Sequence, residues 1–423
     1  MSSNSRRRLL PKLIFNKFDT IPFEILCSFL VCEEMFSLLM SSKVIRLKVY
    51  KVGSSHATIK SFPVGERLTA TFPKIKLYAR FNCKMFNEAE FLTLDRLVEL
   101  DLDYYGRMHS KIANTSMKHL RNLTKLSFYG DQISGDAIVQ LTKIKNLSLR
   151  YNNDSVTDAH MIKLTTLTSL SLHECSISDA SIIHLTCLRM LSLQFTYRKI
   201  TPAALEKLTN LTSLELMNDD HVFSGHEMTN LTTLRELIIT NIVTVRNDFL
   251  SQMTFLEKFS LKSSTGYITD DLFKNLHQLS HLCIISNYKL TGESFKYLVN
   301  LKHLVLRNSE VNGRYLRDLT QLSHLEIGFN RNVSWTDVMW LTSVKNLVLN
   351  LNDKRKISDR MIGKFQNVEV IKIVGESPFS YGITVEAFRP LKKLKRVIAT
   401  KYYMATWLEF FEQQGIEFIS HKE

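Results

Sequence analysis

Glycine and proline are scarce in this chain, 14 and 7 of its 423 residues. So little of either excludes a collagen-like or linker-like polymer and leaves little material for a glycine-rich phosphate loop. Cysteine is sparse as well. Cys27, Cys32, Cys83, Cys175, Cys187 and Cys283 include no CxxC pair, a scatter that fits free thiols in a reducing compartment. Long apolar runs are missing: Glu24, Glu33 and Glu34 interrupt the greasiest stretch, 21–40, which therefore does not read as a membrane span. Arg6-Arg7-Arg8 is not followed by an apolar core and a small-residue cleavage site, so no export signal is expected. Nucleotide-loop, zinc-protease, hydrolase-elbow, kinase and EF-hand signatures do not occur. We accordingly expect no catalytic role, no cofactor and no metal.

Hydrophobic residues make up 44% and charged residues 23%, an ordinary folded composition. The net charge of +14 is uneven. Residues 1–96 carry 16 Lys/Arg against 8 Asp/Glu, and residues 354–423 carry 13 against 8. The span between is almost neutral, which argues against a continuous nucleic-acid track.

One phrase recurs: an apolar residue, two variable ones, an apolar, a variable and an apolar. It starts at Leu97 and returns through Leu123, Ile144, Leu167, Leu188 and Leu211 to Leu394, about every 23 residues. A weaker copy starts at Phe72. Three residues after the last apolar position stands a small polar one, for example Asn152, Cys175, Thr196, Ser264, Asn287, Ser309 and Asn330, suited to satisfying backbone groups at a bend. An aliphatic residue and a Ser or Thr follow, as in Ile177-Ser178 and Ile200-Thr201, and the Ser or Thr reads as a helix N-cap. Pro202 suits the first helical position, and Asp158, Asp179 and Asp270 suit the first turn. Each unit is thus read as a strand, a bend and a helix of two to three turns, burying its apolar stripe only when stacked on neighbours. Sequons such as Asn122-Leu123-Thr124 fall inside the phrase and read as repeat consensus.

This pattern resembles the leucine-rich repeat superfamily. The resemblance implies an α/β solenoid of 14–15 repeats over residues 68–400, with a curved parallel sheet and convex helices of the long-helix class. Residues between the leucines would line the concave face. There stand Glu99, Asp101 and Asp103, then Tyr129, Arg150 and His173, a serine-rich middle with Met190, then Lys258 and Lys262, and finally His281, His303, Arg307, His324 and Glu326. A mixed polar surface of this kind suits a protein partner. Tyr78 and Tyr129 are candidate anchors. His281, His303 and His324 should stack about 5 Å apart. They read as solvated histidines, with a pH-sensitive patch as the sharper alternative. Trp335 and Trp340 are expected to pack on the convex side. Lys392, Lys393, Lys395 and Arg396 are expected to be a solvated rim. Trp407, Leu408, Phe410 and Phe411 form an apolar face before Ile416–Ile419, a C-terminal cap over 401–423.

Ahead of the repeats, after a basic tail at 1–18, lies Asp19-Thr20-Ile21-Pro22-Phe23-Glu24-Ile25-Leu26-Cys27-Ser28-Phe29-Leu30. Pro22 can open a helix with Ile25, Leu26 and Phe29 on one face. The segment resembles an F-box in its opening, and departs from one where Glu33 replaces an apolar residue and no tryptophan follows Lys43. The resemblance implies a substrate receptor of a Skp1–cullin–F-box ubiquitin ligase, with Ile21, Pro22, Ile25, Leu26 and Phe29 contacting a Skp1-like adaptor and the repeats holding a protein substrate. The alternative for residues 19–60 is a plain N-terminal cap, and for the chain a repeat scaffold with no ligase link. A cytoplasmic location is expected, with Arg6-Arg7-Arg8 as a candidate nuclear address.

Overall fold

The computed structural model describes residues 56–59, 76–82, 95–103, 114–130, 133–152, 154–196, 199–218, 230–264, 267–350, 358–374, 383–400 and 404–421. The segment 19–44 lies outside them. The chain divides into two compact units, Met1–Ser181 and Ile182–Glu423. The division falls within the repeats and not at their ends.

In the first unit the strands are β1 His56–Ile59, β2 Lys76–Asn82, β3 Leu97–Asp103, β4 Lys125–Tyr129, β5 Asn146–Arg150 and β6 Ser169–His173. Each pairs in parallel with the next, as in Lys125↔Asn146↔Ser169. The second unit holds β7 Met190–Gln194, β8 Ser213–Met217, β9 Glu236–Thr240, β10 Lys258–Lys262, β11 His281–Ile285 and β12 His303–Arg307. It continues with β13 His324–Gly328, β14 Asn346–Asn350, β15 Val370–Val374, β16 Arg396–Thr400 and β17 Glu417–His421, again paired in parallel and in chain order. Parallel strands one repeat apart need a crossover, and the rest of the repeat supplies it. Two alternate apolar residues inside each of β3–β16 point inward and are buried, for example Leu147, Leu149, Leu304 and Leu306. Burying each such side chain contributes about 2 kcal/mol.

Strands β4–β13 end in the same device. The residue after it turns left-handed, at Tyr151 (φ 55°), Phe195 (φ 52°), Asn218, Asn241, Ser263, Ser286, Asn308 and Phe329 (φ 54°), with Gly130 at φ 65° in the same place. Its N–H donates to the last carbonyl of the next strand, as from Tyr151 to His173 (2.7 Å) and from Asn308 to Gly328 (2.9 Å). The small polar residue that follows is buried and bracketed by hydrogen bonds. Asn330 donates to the carbonyls of Leu306 (2.6 Å) and Gly328 (3.1 Å) and accepts from the Ser309 N–H (2.9 Å) and hydroxyl (2.6 Å). Asn152 donates to Gly130 O (2.9 Å) and accepts from Val156 N–H (3.0 Å). The bend polar groups are thus satisfied without water.

Among the described residues the crossovers between repeats hold no helix of the expected two to three turns. The crossovers hold single turns such as Gly135–Val139, Asp158–Met161 and Pro202–Leu205, or 3₁₀ turns such as Asp270–Lys274, Glu293–Tyr297 and Gly313–Leu316. Three-residue spacing is the reason. Leu205, Leu208 and Leu211 are all buried, and Leu208 and Leu211 donate their N–H to the carbonyls of Leu205 and Leu208, three residues back. Side chains three apart align when the chain turns once per three residues and drift apart at 3.6. The first-turn acids also do something other than complement a dipole. Asp158 accepts from Ser178 N–H (2.9 Å), Ser178 Oγ (2.6 Å) and Ser181 Oγ (2.5 Å), and Asp270 accepts from Thr291 N–H, Thr291 Oγ1 and Gly292 N–H. Each acid ties its turn to the next repeat.

The helix Met404–Gln414 is longer. Trp407 and Phe411 from it pack edge-on against Phe388, at 5.2 and 5.1 Å between ring centroids. Trp340, expected to pack, is instead 64% exposed. It stands at the end of its turn, where the buried contacts are already made by Val338 and Leu341. Among the described residues no helix is long and apolar enough to cross a membrane.

Candidate interaction face

Side chains opposite the leucines form an open face in each unit, with neighbours from successive repeats side by side. In the first unit the face is ionic and aromatic. Lys125 Nζ lies 3.4 Å from Glu99, and Arg150 donates to Asp101 (3.2 Å) and to Ser127 Oγ (2.8 Å). The acidic cluster read from the sequence is therefore met by cations of later repeats. Tyr129, Tyr151 and His173 form a ring column, with centroids 4.7 and 4.6 Å apart. The side chains of Tyr78 and Asp103 fall outside the described residues.

In the second unit the face starts polar. Ser192 Oγ donates to Glu215 (2.8 Å) and Ser213 Oγ to Glu236 (3.3 Å), while Met190 beside them is 51% exposed. It changes from β10 onward. Lys258, His281, His303 and His324 occupy one register row across β10–β13. The rings of His281 and His303 stack at 5.2 Å and those of His303 and His324 at 3.8 Å, the latter inclined by only 7°. Ser280 Oγ lies 2.8 Å from His281 Nδ1. Burial pushes all three imidazoles below their ordinary pKa. Lys258 adds to this at His281, and the two flanking rings help bring His303 to about 4. Among the described residues no group of three or more His, Cys, Asp or Glu is arranged to hold a metal ion. Nearly parallel rings do not aim their nitrogens at one point.

The next row reads Ser260, Cys283, Val305, Glu326 and Val348. On β4–β11 the middle residue of the strand is half-buried, but Val305, Glu326 and Val348 on β12–β14 are buried. The Glu326 side chain, only 11% exposed, is gripped by the guanidinium of Arg307. Burial pushes the Cys283 thiol up, so it stays neutral. The basic rim on the final repeats is exposed as expected, though not idle: Lys395 and Arg396 pair with Glu369 and Glu417, both at 2.6 Å.

Sequence reasoning named the face residues individually but missed the buried middle row and the left-handed bend residues. Asn218, Asn241 and Asn308, one place before the buried polar position, were the available signal for the bends.

A model of the leucine-rich repeat region matches residues 130–417. Among solved structures, an internalin from Listeria monocytogenes is 21% identical, covering 74% of this chain and 88% of its own, with a TM-score of 0.52. A leucine-rich repeat protein from Leptospira interrogans is 17% identical, covering 82% and 90%, with a TM-score of 0.53. Toll, in a Drosophila complex of Toll with Spatzle, is 13% identical, covering 87% of this chain and 54% of that one, with a TM-score of 0.53. These likenesses are to the fold. No curated protein matches. The family match spans more than half of the chain, and strand, buried polar bend and short return recur among its described residues: the chain belongs to the leucine-rich repeat family.

Proposed function

We propose that this chain is a non-catalytic interaction module that holds a protein partner on the open face of its sheet. One observation carries the reading: leucines and bends repeat, while the open face changes from one repeat to the next, from Asp101 and Arg150 to Met190 to the histidine column. Scaffold chemistry is uniform where only folding acts on it and variable where a partner would be read. The Toll structure, which holds Spatzle, is a neighbour of the same fold with a protein ligand.

The finer reading is a substrate receptor of a Skp1–cullin–F-box ubiquitin ligase. It rests on Ile21, Pro22, Glu24, Ile25 and Leu26 and their resemblance to an F-box opening. Ile21, Pro22, Ile25, Leu26 and Phe29 would then contact Skp1.

Two captures test the two levels. Met190→Arg/Ser213→Arg alters the open face, and Ile183→Arg alters an exposed crossover residue. Cellular partners lost with the first variant and kept with the second support face binding; equal loss or equal retention removes it. Skp1 captured by the full chain, and lost in a folded Ile25→Asp/Leu26→Asp variant, supports the ligase reading. No capture of Skp1 leaves a repeat scaffold.

A further inference from the structure

We propose that the histidine column His281–His303–His324, together with Lys258, Lys262 and Lys302, is a proton-gated docking site for an acidic segment of a partner protein. This rests on the reading that the open face binds protein.

The geometry comes first. Three imidazoles stand in one register row on consecutive strands, half-buried, with centroids 5.2 and 3.8 Å apart. No other row among the described residues repeats one titratable side chain three times in succession. The charges around it set the partner's sign. Lys258 stands in the histidine row itself, while Lys262 and Arg307 stand four residues further along their strands, in the row of Ile285. Carboxylates nearby are engaged already: Glu236 with Lys258 at 3.8 Å, Glu326 with Arg307, and Glu257 with Arg235 at 3.7 Å. Lys302, which precedes His303, adds a further cation, and β14 offers only Asn346 and Val348 to the column. Those three pairs balance, so Lys262 and Lys302 are the excess charge; the site is net cationic even with neutral rings, and an acidic segment is the complementary occupant.

Gating follows from the stacking. A proton placed on one ring in the free protein faces the neighbouring rings and Lys258 across a partly desolvated surface, so the free column stays neutral at neutral pH. A carboxylate seated against the ring edges offsets that repulsion and lets a proton enter with it. Binding and proton uptake are therefore linked, and affinity rises as pH falls, by about tenfold per pH unit for each proton fully taken up.

The test uses the full chain and a rhodamine-labelled peptide of alternating Asp and Ser, whose carboxylates stay ionised throughout. Anisotropy is read at pH 7.5 and pH 5.5 at fixed ionic strength, and calorimetry in buffers of different ionisation heat counts the protons. The expected result is at least a tenfold gain in affinity at pH 5.5 with about one proton taken up. His303→Gln, and the triple His281→Gln/His303→Gln/His324→Gln checked by circular dichroism, should remove the pH dependence. Lys258→Gln should weaken binding at both pH values and leave the slope. Binding that is equal at the two pH values overturns the proposal. So does a pH dependence that survives in His303→Gln and the triple variant, or a labelled oligouridylate that binds where the peptide does not. Should the peptide fail while Met190→Arg/Ser213→Arg still loses a cellular partner, proton gating falls and face binding stands.

Discussion

The open faces of the two units rest on the same strand template and solve the problem of carrying charge in different ways. Across β3–β6 the charges stay partly wet: the side chains of Arg150 and Asp101 are 31% and 36% exposed and meet across an intervening strand. Across β12–β14 the middle row is dry. Glu326 is covered, a single guanidinium answers it, and the flanking imidazoles shed their charge instead of pairing it. Identical backbone geometry thus yields one face held by screened ion pairs and another held by burial. The second has more to lose when one group changes, because a low-dielectric surround raises the cost of any unanswered charge.

Part of the scaffold should not distinguish the two units. Asn152→Ala and Asn330→Ala each strip the hydrogen-bond bracket from a fully buried bend. Each should lower stability by about 3 kcal/mol, since several backbone groups lose their partner at once. Chemical denaturation of the full chain measures both, and a large difference between them would break the claim that the bends are one repeated device. The faces should then separate. Arg307→Ala leaves Glu326 buried and unanswered, and should cost about 2 kcal/mol. Arg150→Ala removes a partly exposed pair and should cost about 1 kcal/mol or less. Replacing both partners, in Arg307→Ala/Glu326→Leu, should recover most of the first loss.

Acid should affect the second face more than the first. The folded pKa of His303, about 4, lies below the ordinary 6.5 of an unfolded chain, and His281 and His324 are shifted the same way. Over that window the unfolded state binds more protons than the folded one. The stability these rings contribute is complete above pH 6.5 and is lost as pH falls through about 4. Denaturation midpoints measured between pH 7 and pH 4 should fall, and His303→Gln should flatten the fall. A slope unchanged in that variant would assign the acid sensitivity to other groups.

Much of this was legible in the sequence, and the reasons differ by element. The leucine phrase gave strands, register and the stacking of His281, His303 and His324, because a fixed period leaves one way to align neighbours. The buried polar position was visible at Asn152 and Asn330 because a polar residue at an invariant distance from a leucine needs a backbone reason. Turn length was misread because Ser and Thr before an apolar run signal a helix start without its length; the spacing of Leu205, Leu208 and Leu211 held that information. The pairing of Arg150 with Asp101, 49 residues apart, and the covering of Glu326 were not legible. They depend on which rotamers meet across strands, and no local pattern encodes that. Residues 19–44, which carry the F-box resemblance, lie outside the described residues.

The smallest effect separates the faces at their edge. Tyr151 and Phe329 both occupy the left-handed region, with φ of 55° and 54°, where a side chain costs about 1 kcal/mol relative to glycine. Glycine also gives back some stability, because it frees the unfolded chain. What remains is decided by the ring's contacts. Tyr151 sits between Tyr129 and His173 at 4.7 and 4.6 Å, and losing such contacts costs about 1 kcal/mol. Phe329 is 45% exposed and gains less from its surroundings. Tyr151→Gly should therefore destabilise by about 1 kcal/mol, whereas Phe329→Gly should be neutral or stabilise by a few tenths of a kcal/mol. Matched denaturation curves of the two variants decide it. An equal loss would mean that Phe329, like Tyr151, is held by contacts that its exposure does not reveal. A neutral Phe329→Gly would instead leave an exposed aromatic ring, kept in a strained conformation beside the histidine face, with no structural reason to be there except a partner.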